Sequence, residues 1–322
     1  MDNIDKIISS ILEGNKPKKY NVLFTPRRVE RRKIDRLEWA KRILQQKHID
    51  GDLDLSDLPI TNLGNLKSIT GDLDLRNTSI TDLRSLKSVG GYLYLQYTPI
   101  TNLGSLESVG KSLVLHNTPI TDLGSLRSVG RGLYLSGTPI TSLGSLKSVS
   151  GGLLLYNTPI TDLGSLELVD GDLDLHNTPI TNLGSLKSVG GYLDLSNSSI
   201  TDLGSLKSVH GVLDLSGSPI TSLGSLESVG ASLYLLGSSI TDLGSLKSVV
   251  GSLYLQNTPI TNLGSLELVG GDLDLRGTSI TSLGSLKSVH MIIIDKNSKL
   301  DIDNLPKHFK NRIIIRAVKG NG

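Results

Sequence analysis

The sequence predicts a solenoid, with parallel strands stacked on one face, short extended or 3₁₀-like return segments on the other, and a helical cap at the N-terminal end. Three observations predict it. From Gly51 to His290 the chain repeats every 20 residues, twelve times, without insertion or deletion, and a fixed period in this range belongs to stacked coils. Leu fills positions 3 and 5 of every unit, as in Leu93 and Leu95, the alternation of a strand with one buried face. Two Phe and one Trp in 322 residues leave Leu, Ile and Val to build a thin core, where a globule would use aromatics.

Taken in chain order, residues 1–14 place Ile4, Ile7, Ile8, Ile11 and Leu12 at i, i+3, i+4, i+7 and i+8 before Gly14. That is the spacing of an amphipathic helix, packed on its own chain or docked into a partner. Residues 15–28 form a basic linker with a short strand, part of a run from Lys16 to Lys33 that contains a single Glu. Arg27 and Arg28 in this run join the five aliphatic residues as candidate partner-docking residues. Tyr20 and Phe24 could stack on bases, but no nucleic-acid motif accompanies them, so nucleic acid is not the favoured partner. Residues 29–50 set Ile34, Leu37, Ala40 and Leu44 at helical spacing beside Ile43, an amphipathic helix laid over the first coil with Trp39 sealing its edge or exposed.

Residues 51–290 are the twelve repeats. Ile at position 10, Leu at 13 and 16, and Val or Ile at 19 add four inward aliphatics to the two leucines of each strand. Spaced by three, they suit an extended or 3₁₀-like return path too short for an α-helix. Thr or Ser at position 8, in every unit but the first, and Thr at 11 predict hydroxyl ladders running from coil to coil. Pro at 9 and Gly-Ser at 14 and 15 mark bends. Arg84 in place of the glycine at position 14 predicts that this bend does not need a positive φ. Residues 291–322 keep the rhythm and lose the consensus, with Ile293, Ile294, Leu300, Leu305 and Ile313 to Ile315 near the expected phases. They read as a degenerate closing coil, a last strand and a frayed tail.

The segment LYLQYTPITNL resembles the leucine-rich repeat pattern LxLxxNxL, with Thr where that family usually has Asn. The return PITNLGSL is similar to internalin-type repeats, and SLESVGKSLVL resembles receptor L domains, which place Val, a Gly-rich corner and LxL in that order. The resemblance covers residues 51–290 and implies a solenoid whose exposed sheet binds other molecules. Repeats this nearly identical and free of cysteine also resemble proteins encoded by bacteriophages and large viruses, which implies a virion or the cytoplasm of a host cell.

The formal net charge of +2 hides a segregation. Residues 1–50 hold 13 Lys/Arg against 7 Asp/Glu, residues 51–290 hold 13 against 21, and residues 291–322 hold 7 against 3. An acidic middle thus lies between basic ends. The absence of cysteine excludes disulfide scaffolds and thiol catalysis. The opening MDNIDKIISSILEG has no basic leader, and no stretch approaches the length of a membrane span, so the expectation is a soluble protein without an export signal.

The variable letters lie on the outward side of the strand or just after it. Position 2 or 4 holds Asp52, Asp54, Asp72, Asp74, Asp172, Asp174, Asp194, Asp214, Asp272 and Asp274, together with Tyr92, Tyr94, Tyr134, Tyr192, Tyr234 and Tyr254. With Tyr97 and Tyr156 added, eight of the nine tyrosines fall on this face. Tyr is a common contact residue, and stacked Asp repel one another, so a surface shaped for solubility alone would mix signs. The opposite path carries Lys and Arg at position 17. These residues form the candidate site for a protein or glycan ligand, about 60 Å long for twelve coils at ~4.8 Å each. The alternative is a structural or host-interaction component of a phage or virus particle, anchored by the N-terminal helix and basic segment.

No catalytic residue, metal ligand or cofactor is assigned. Parallel Asp side chains point the same way and are not expected to converge on a cation, and a flat face offers no pocket to raise one carboxyl above another. His116 and His176 share position 6 three coils apart, about 14 Å by strand spacing, too far for one metal, and both read as solvated. No phosphate loop stands out, since GSLKS lacks the required GK[ST] ending.

Overall fold

The computed structural model describes residues 26–316, with side chains from residue 35 onward. The predicted helix of residues 1–14 and the linker up to residue 25 lie outside the described residues. The chain divides into a unit ending at Ala40 and a second, much larger one from Lys41. An α-helix spans Pro26–Ile43, three residues ahead of the predicted start. Along it Ala40 is buried, Leu37 and Ile43 are half-buried and Trp39 is exposed; Leu44, just past its end, is buried.

From Leu44 the chain is a parallel β-solenoid of twelve 20-residue coils and a degenerate thirteenth. Its front sheet has 14 strands, from Leu53–Asp54 to Ile313–Ile315, the first twelve paired in register at a spacing of 20 residues, as in Leu133↔Leu153. The return path is more ordered than the sequence predicts. Positions 18 and 19 build a second parallel sheet of 12 strands, from His48–Ile49 to Leu268–Val269. A third row of isolated bridges joins position 12 of neighbouring coils, as in Asp82↔Asn102 and Asn182↔Asp202. Constant coil length keeps all three rows in register, so return-path amides find carbonyls on the preceding coil. Lys87 N donates to Lys67 O at 2.7 Å and Gly90 N to Ile69 O at 2.8 Å. The 3₁₀-like element shrinks to a single turn in which Leu106 N donates to Leu103 O at 3.3 Å.

The six inward positions close the core. Leu93, Leu95, Ile100, Leu103, Leu106 and Val109 are buried, as are their counterparts in the other coils. Each fully buried aliphatic contributes roughly 2 kcal/mol, offset in large part by the entropy of ordering the chain.

Two corner readings are corrected. The position-8 hydroxyls do not run from coil to coil; each turns into its own, Thr98 Oγ1 donating to Leu95 O at 2.6 Å and Thr178 Oγ1 to Leu175 O at 2.6 Å. This satisfies a buried carbonyl at the end of the strand. Position 11 behaves as expected, Thr241 Oγ1 reaching Thr221 O at 3.1 Å. The bend at position 14 does need a positive φ: the glycines there adopt one, as does Arg84, with φ 48°. Asp82 Oδ1 accepts the Arg84 amide at 2.9 Å, and this side-chain-to-backbone turn holds the arginine in a conformation that L-residues avoid.

The ends differ from the predicted boundaries. Residues 44–50, assigned by sequence to the helical cap, belong to the solenoid: Asn65 N donates to Leu44 O at 3.0 Å, and His48–Ile49 pairs with Ser68–Ile69. At the other end Met291–Ile294 pairs with Asp272–Asp274 at an offset of 19, one residue short of the period, followed by a short helix Lys307–Lys310 and the outermost strand.

Candidate functional site

Inward leucines at positions 3 and 5 force positions 2, 4 and 6 outward, so the front face is where the predicted site residues stand. The aspartates there also hold the fold, a task the sequence reading missed. At position 4 the carboxylate accepts the amide two residues on: Asp54 from Ser56 at 2.9 Å, Asp194 from Ser196 at 2.9 Å and Asp214 from Ser216 at 2.9 Å. At position 2 it accepts the amide of the next coil: Asp52 from Asp72 at 2.8 Å, Asp72 from Tyr92 at 2.9 Å and Asp172 from Tyr192 at 2.7 Å. The recurrent D-L-S, D-L-R and D-L-H before an Asn, Gly or Asp is the sequence signal for the first of these turns.

Along the stack the outward residues sort into bands. Asp52, Asp54, Asp72 and Asp74 occupy coils 1 and 2; Tyr92, Tyr94, Val114, Tyr134, Leu154 and Tyr156 occupy coils 3 to 6. Asp172, Asp174, Asp194 and Asp214 follow with Tyr192, then Tyr234 and Tyr254, and last Asp272 and Asp274. Tyrosines within a band stack: Tyr92 on Tyr94 with centroids 5.7 Å apart, and Tyr234 on Tyr254 at 4.7 Å. Tyr134 lies back over Gly132, where a Cβ would come within 2.5 Å of its hydroxyl oxygen.

Charge is arranged differently on the three rows. At position 17 of the return path, signs pair across coils: Lys87 with Glu107 at 3.3 Å, Lys187 with Glu167 at 2.5 Å, Lys207 with Glu227 at 3.6 Å and Lys287 with Glu267 at 2.6 Å. At position 12 Asp alternates with Asn or Ser, and four of its five Asp face a donor on the coil before: Asn102 donates to Asp122, Ser142 to Asp162 at 3.0 Å, Asn182 to Asp202 at 2.6 Å and Ser222 to Asp242 at 2.9 Å. The front sheet sets like on like, with Asp54↔Asp74, Asp174↔Asp194 and Asp194↔Asp214 in register; position 17 does so too at Lys67/Lys87, Arg127/Lys147 and Lys187/Lys207, but there glutamates stand between, whereas no Lys or Arg stands at front positions 2 or 4. Two of the front carboxylates carry their own cation, half-buried Asp74 with Arg76 at 2.5 Å and buried Asp274 with Arg276 at 2.6 Å. Asp174, 2% exposed, has a histidine in that place. Burial pushes its carboxyl above the usual range, against the pull of His176. Burial, with Asp194 and Asp214 beside it, likewise pushes the Tyr192 hydroxyl well up.

The expectation that front-face side chains do not converge fails at this place. His176 Nδ1 lies 2.6 Å from Asp174 Oδ1 and 3.9 Å from Asp194 Oδ2, and the three donor atoms fall within 4.8 Å of one another. Position 6 begins the turn after the strand, so the ring folds back over the sheet, stacked on Tyr156 with centroids 5.0 Å apart. Among the described residues this is the one group of three such donors, and one imidazole with two carboxylates is a donor set that borderline divalent cations accept. His116, read as solvated, is half-buried, and burial lowers its pKa.

Ile4, Ile7, Ile8, Ile11 and Leu12 lie outside the described residues; Arg27 and Arg28 lie on the helix, where only the backbone is described. A groove of about 510 Å³ runs along the corner of coils 1 to 5, lined by Ser68, Ser88, Ser108 and Ser128 with the neighbouring Val and Gly residues, away from the front positions. Among the described residues no helix is long and apolar enough to cross a membrane. Comparison with protein-family models and with curated proteins found no match.

Proposed function

We propose that the chain is a non-enzymatic recognition scaffold of the leucine-rich-repeat type, binding a protein or glycan through its front sheet, with the helix of residues 26–43 as cap of the first coil. One observation carries the reading: the charged residues at front positions 2 and 4 are all aspartates, set carboxylate on carboxylate beside stacked tyrosines, whereas position 17 of the return path carries both signs and pairs several of them. Like charges in register are destabilising, so a row whose only charges are aspartates gives up stability that mixed signs would keep, even though its carboxylates accept backbone amides. Tyrosine bands between acidic bands provide rigid contact area and charge that orients a partner. A binding screen on glycan and protein arrays tests it, comparing the intact chain with Tyr234→Ser/Tyr254→Ser on the front and Lys187→Ser/Lys207→Ser on the back. Loss confined to the front variant is expected.

A further inference from the structure

Three departures from the repeat fall in consecutive coils. Position 7 is the left-handed corner of every coil, where Asn stands six times, Gly four times and Asp once. The twelfth is Tyr97, with φ 60°. Position 1 is Gly in nine coils and Ala in one; the other two residues are Lys111 and Arg131, in the two coils that follow Tyr97.

Tyr97 brings the fold nothing visible. Its side chain is 62% exposed, the highest value among the large apolar and aromatic residues described, and a bulky residue in this conformation costs about 1 kcal/mol or more. Coil 11 is an internal control, repeating LYLQ with Asn257 at the corner. Gln96 and Gln256 both keep a buried Oε1 without a partner, so that feature follows LYLQ and not Tyr97. Strain retained at an exposed aromatic side chain points to a ligand.

The two cations lean towards the same coil. Arg131 Nη1 donates to the Tyr92 hydroxyl at 3.1 Å, and Lys111 Nζ lies 4.8 Å above the Tyr92 ring and 3.4 Å from Asp72. Among the described residues no carboxylate lies within salt-bridge range of Arg131, whereas Arg76 and Arg276 each hold one. Tyr92 and Tyr97 are five residues apart, at most about 17 Å along an extended chain, with Tyr94 between them.

Tyr92 and Tyr94 stack on each other and are covered by Lys111 and Arg76, which leaves Tyr97 as the exposed ring of the cluster. We propose that coils 3 to 5 bind an acidic oligosaccharide, a sugar face lying on Tyr97 and its carboxylate or sulfate held by Arg131 and Lys111. This rests on the front-sheet reading and gives it a ligand class. Aromatic rings accept the apolar face of a sugar, and a guanidinium clamps a planar or tetrahedral acid through paired hydrogen bonds. The span fits several sugar units. A peptide would need pockets for its side-chain anchors, and the described groove lies at the other corner.

Calorimetric titration of the full chain tests it with four probes: a galacturonate hexasaccharide, a sulfated maltohexaose, neutral maltohexaose and hexaglutamate. Binding of one or both acidic sugars is expected, together with an affinity loss of at least tenfold in Arg131→Gly. Tyr97→Asn is expected to lose affinity similarly while its urea midpoint rises, since Asn suits the corner. Equal binding by the variants, tighter binding of hexaglutamate or of the neutral sugar, or a lower midpoint for Tyr97→Asn would overturn the proposal. If no probe binds while an array ligand is still lost in Tyr234→Ser/Tyr254→Ser, the ligand class falls and the front-sheet reading stands.

Discussion

Asp194→Asn should make the protein more stable. The substitution removes one charge from the run Asp174, Asp194, Asp214 and keeps an Oδ1 to accept the Ser196 amide, now at 2.9 Å. The donor oxygens of Asp174 and Asp194 lie within 4.8 Å of each other. At that separation two unit charges repel by about 0.9 kcal/mol at the dielectric constant of water and by about 3.5 kcal/mol at an effective value of 20. The hydrogen bond between the Tyr192 hydroxyl and Asp194 weakens on loss of the charge and returns part of this, which leaves an expected gain of about 1–2 kcal/mol. Urea unfolding at pH 8 measures it as a higher midpoint. In 1 M NaCl, where the Debye length falls to about 3 Å, the gain should shrink. Glu167→Gln, which removes a partner of Lys187 at 2.5 Å on the return path, should not raise the midpoint. An unchanged or lower midpoint for Asp194→Asn at low salt would refute the claim that the front row sacrifices stability, and with it the main support for a recognition face.

Arg84→Gly should stabilise the chain by about 1 kcal/mol, read as a higher urea midpoint, because relief of a left-handed arginine outweighs its exposed ion pair with Asp82 at 3.7 Å. His116→Gln should flatten the pH dependence of stability between pH 7 and 5. Burial lowers the folded-state pKa of His116, so the unfolded chain takes up the proton first as pH falls. The contribution is therefore present above the ordinary histidine range and is lost on acidification through the folded pKa, and melting temperatures across that range check the sign.

The coil was legible because Leu93, Leu95, Ile100, Leu103, Leu106 and Val109 recur in the same phase in every unit, and an aliphatic in every copy has only the core to fill. The second sheet was not, because its strands are two residues long and Ser88–Val89 is too short to show an alternation. The left-handed corner at Arg84 misled for a related reason: one tolerated exception says little about a backbone angle that a side-chain hydrogen bond from Asp82 can enforce. On the candidate face, the positions of Asp174, Asp194 and the tyrosines followed from alternation alone. Their environments did not, because burial of Asp174 and the inward fold of His176 depend on neighbours 20 residues away. The pairing of Asn182 with Asp202 at position 12 was written in the alternation of Asn or Ser with Asp, but it has meaning only once the coils are known to stack in register.

The most direct test of the central claim is the location of the binding surface. With a ligand taken from the array screen, oxidative footprinting of the intact chain reports which tyrosines it covers. The account predicts protection of front-sheet residues such as Tyr92, Tyr94, Tyr234 and Tyr254, with no binding by the front variant and full binding by the back variant. Protection confined to the return path or to residues 1–25, or binding retained in the front variant, would contradict it.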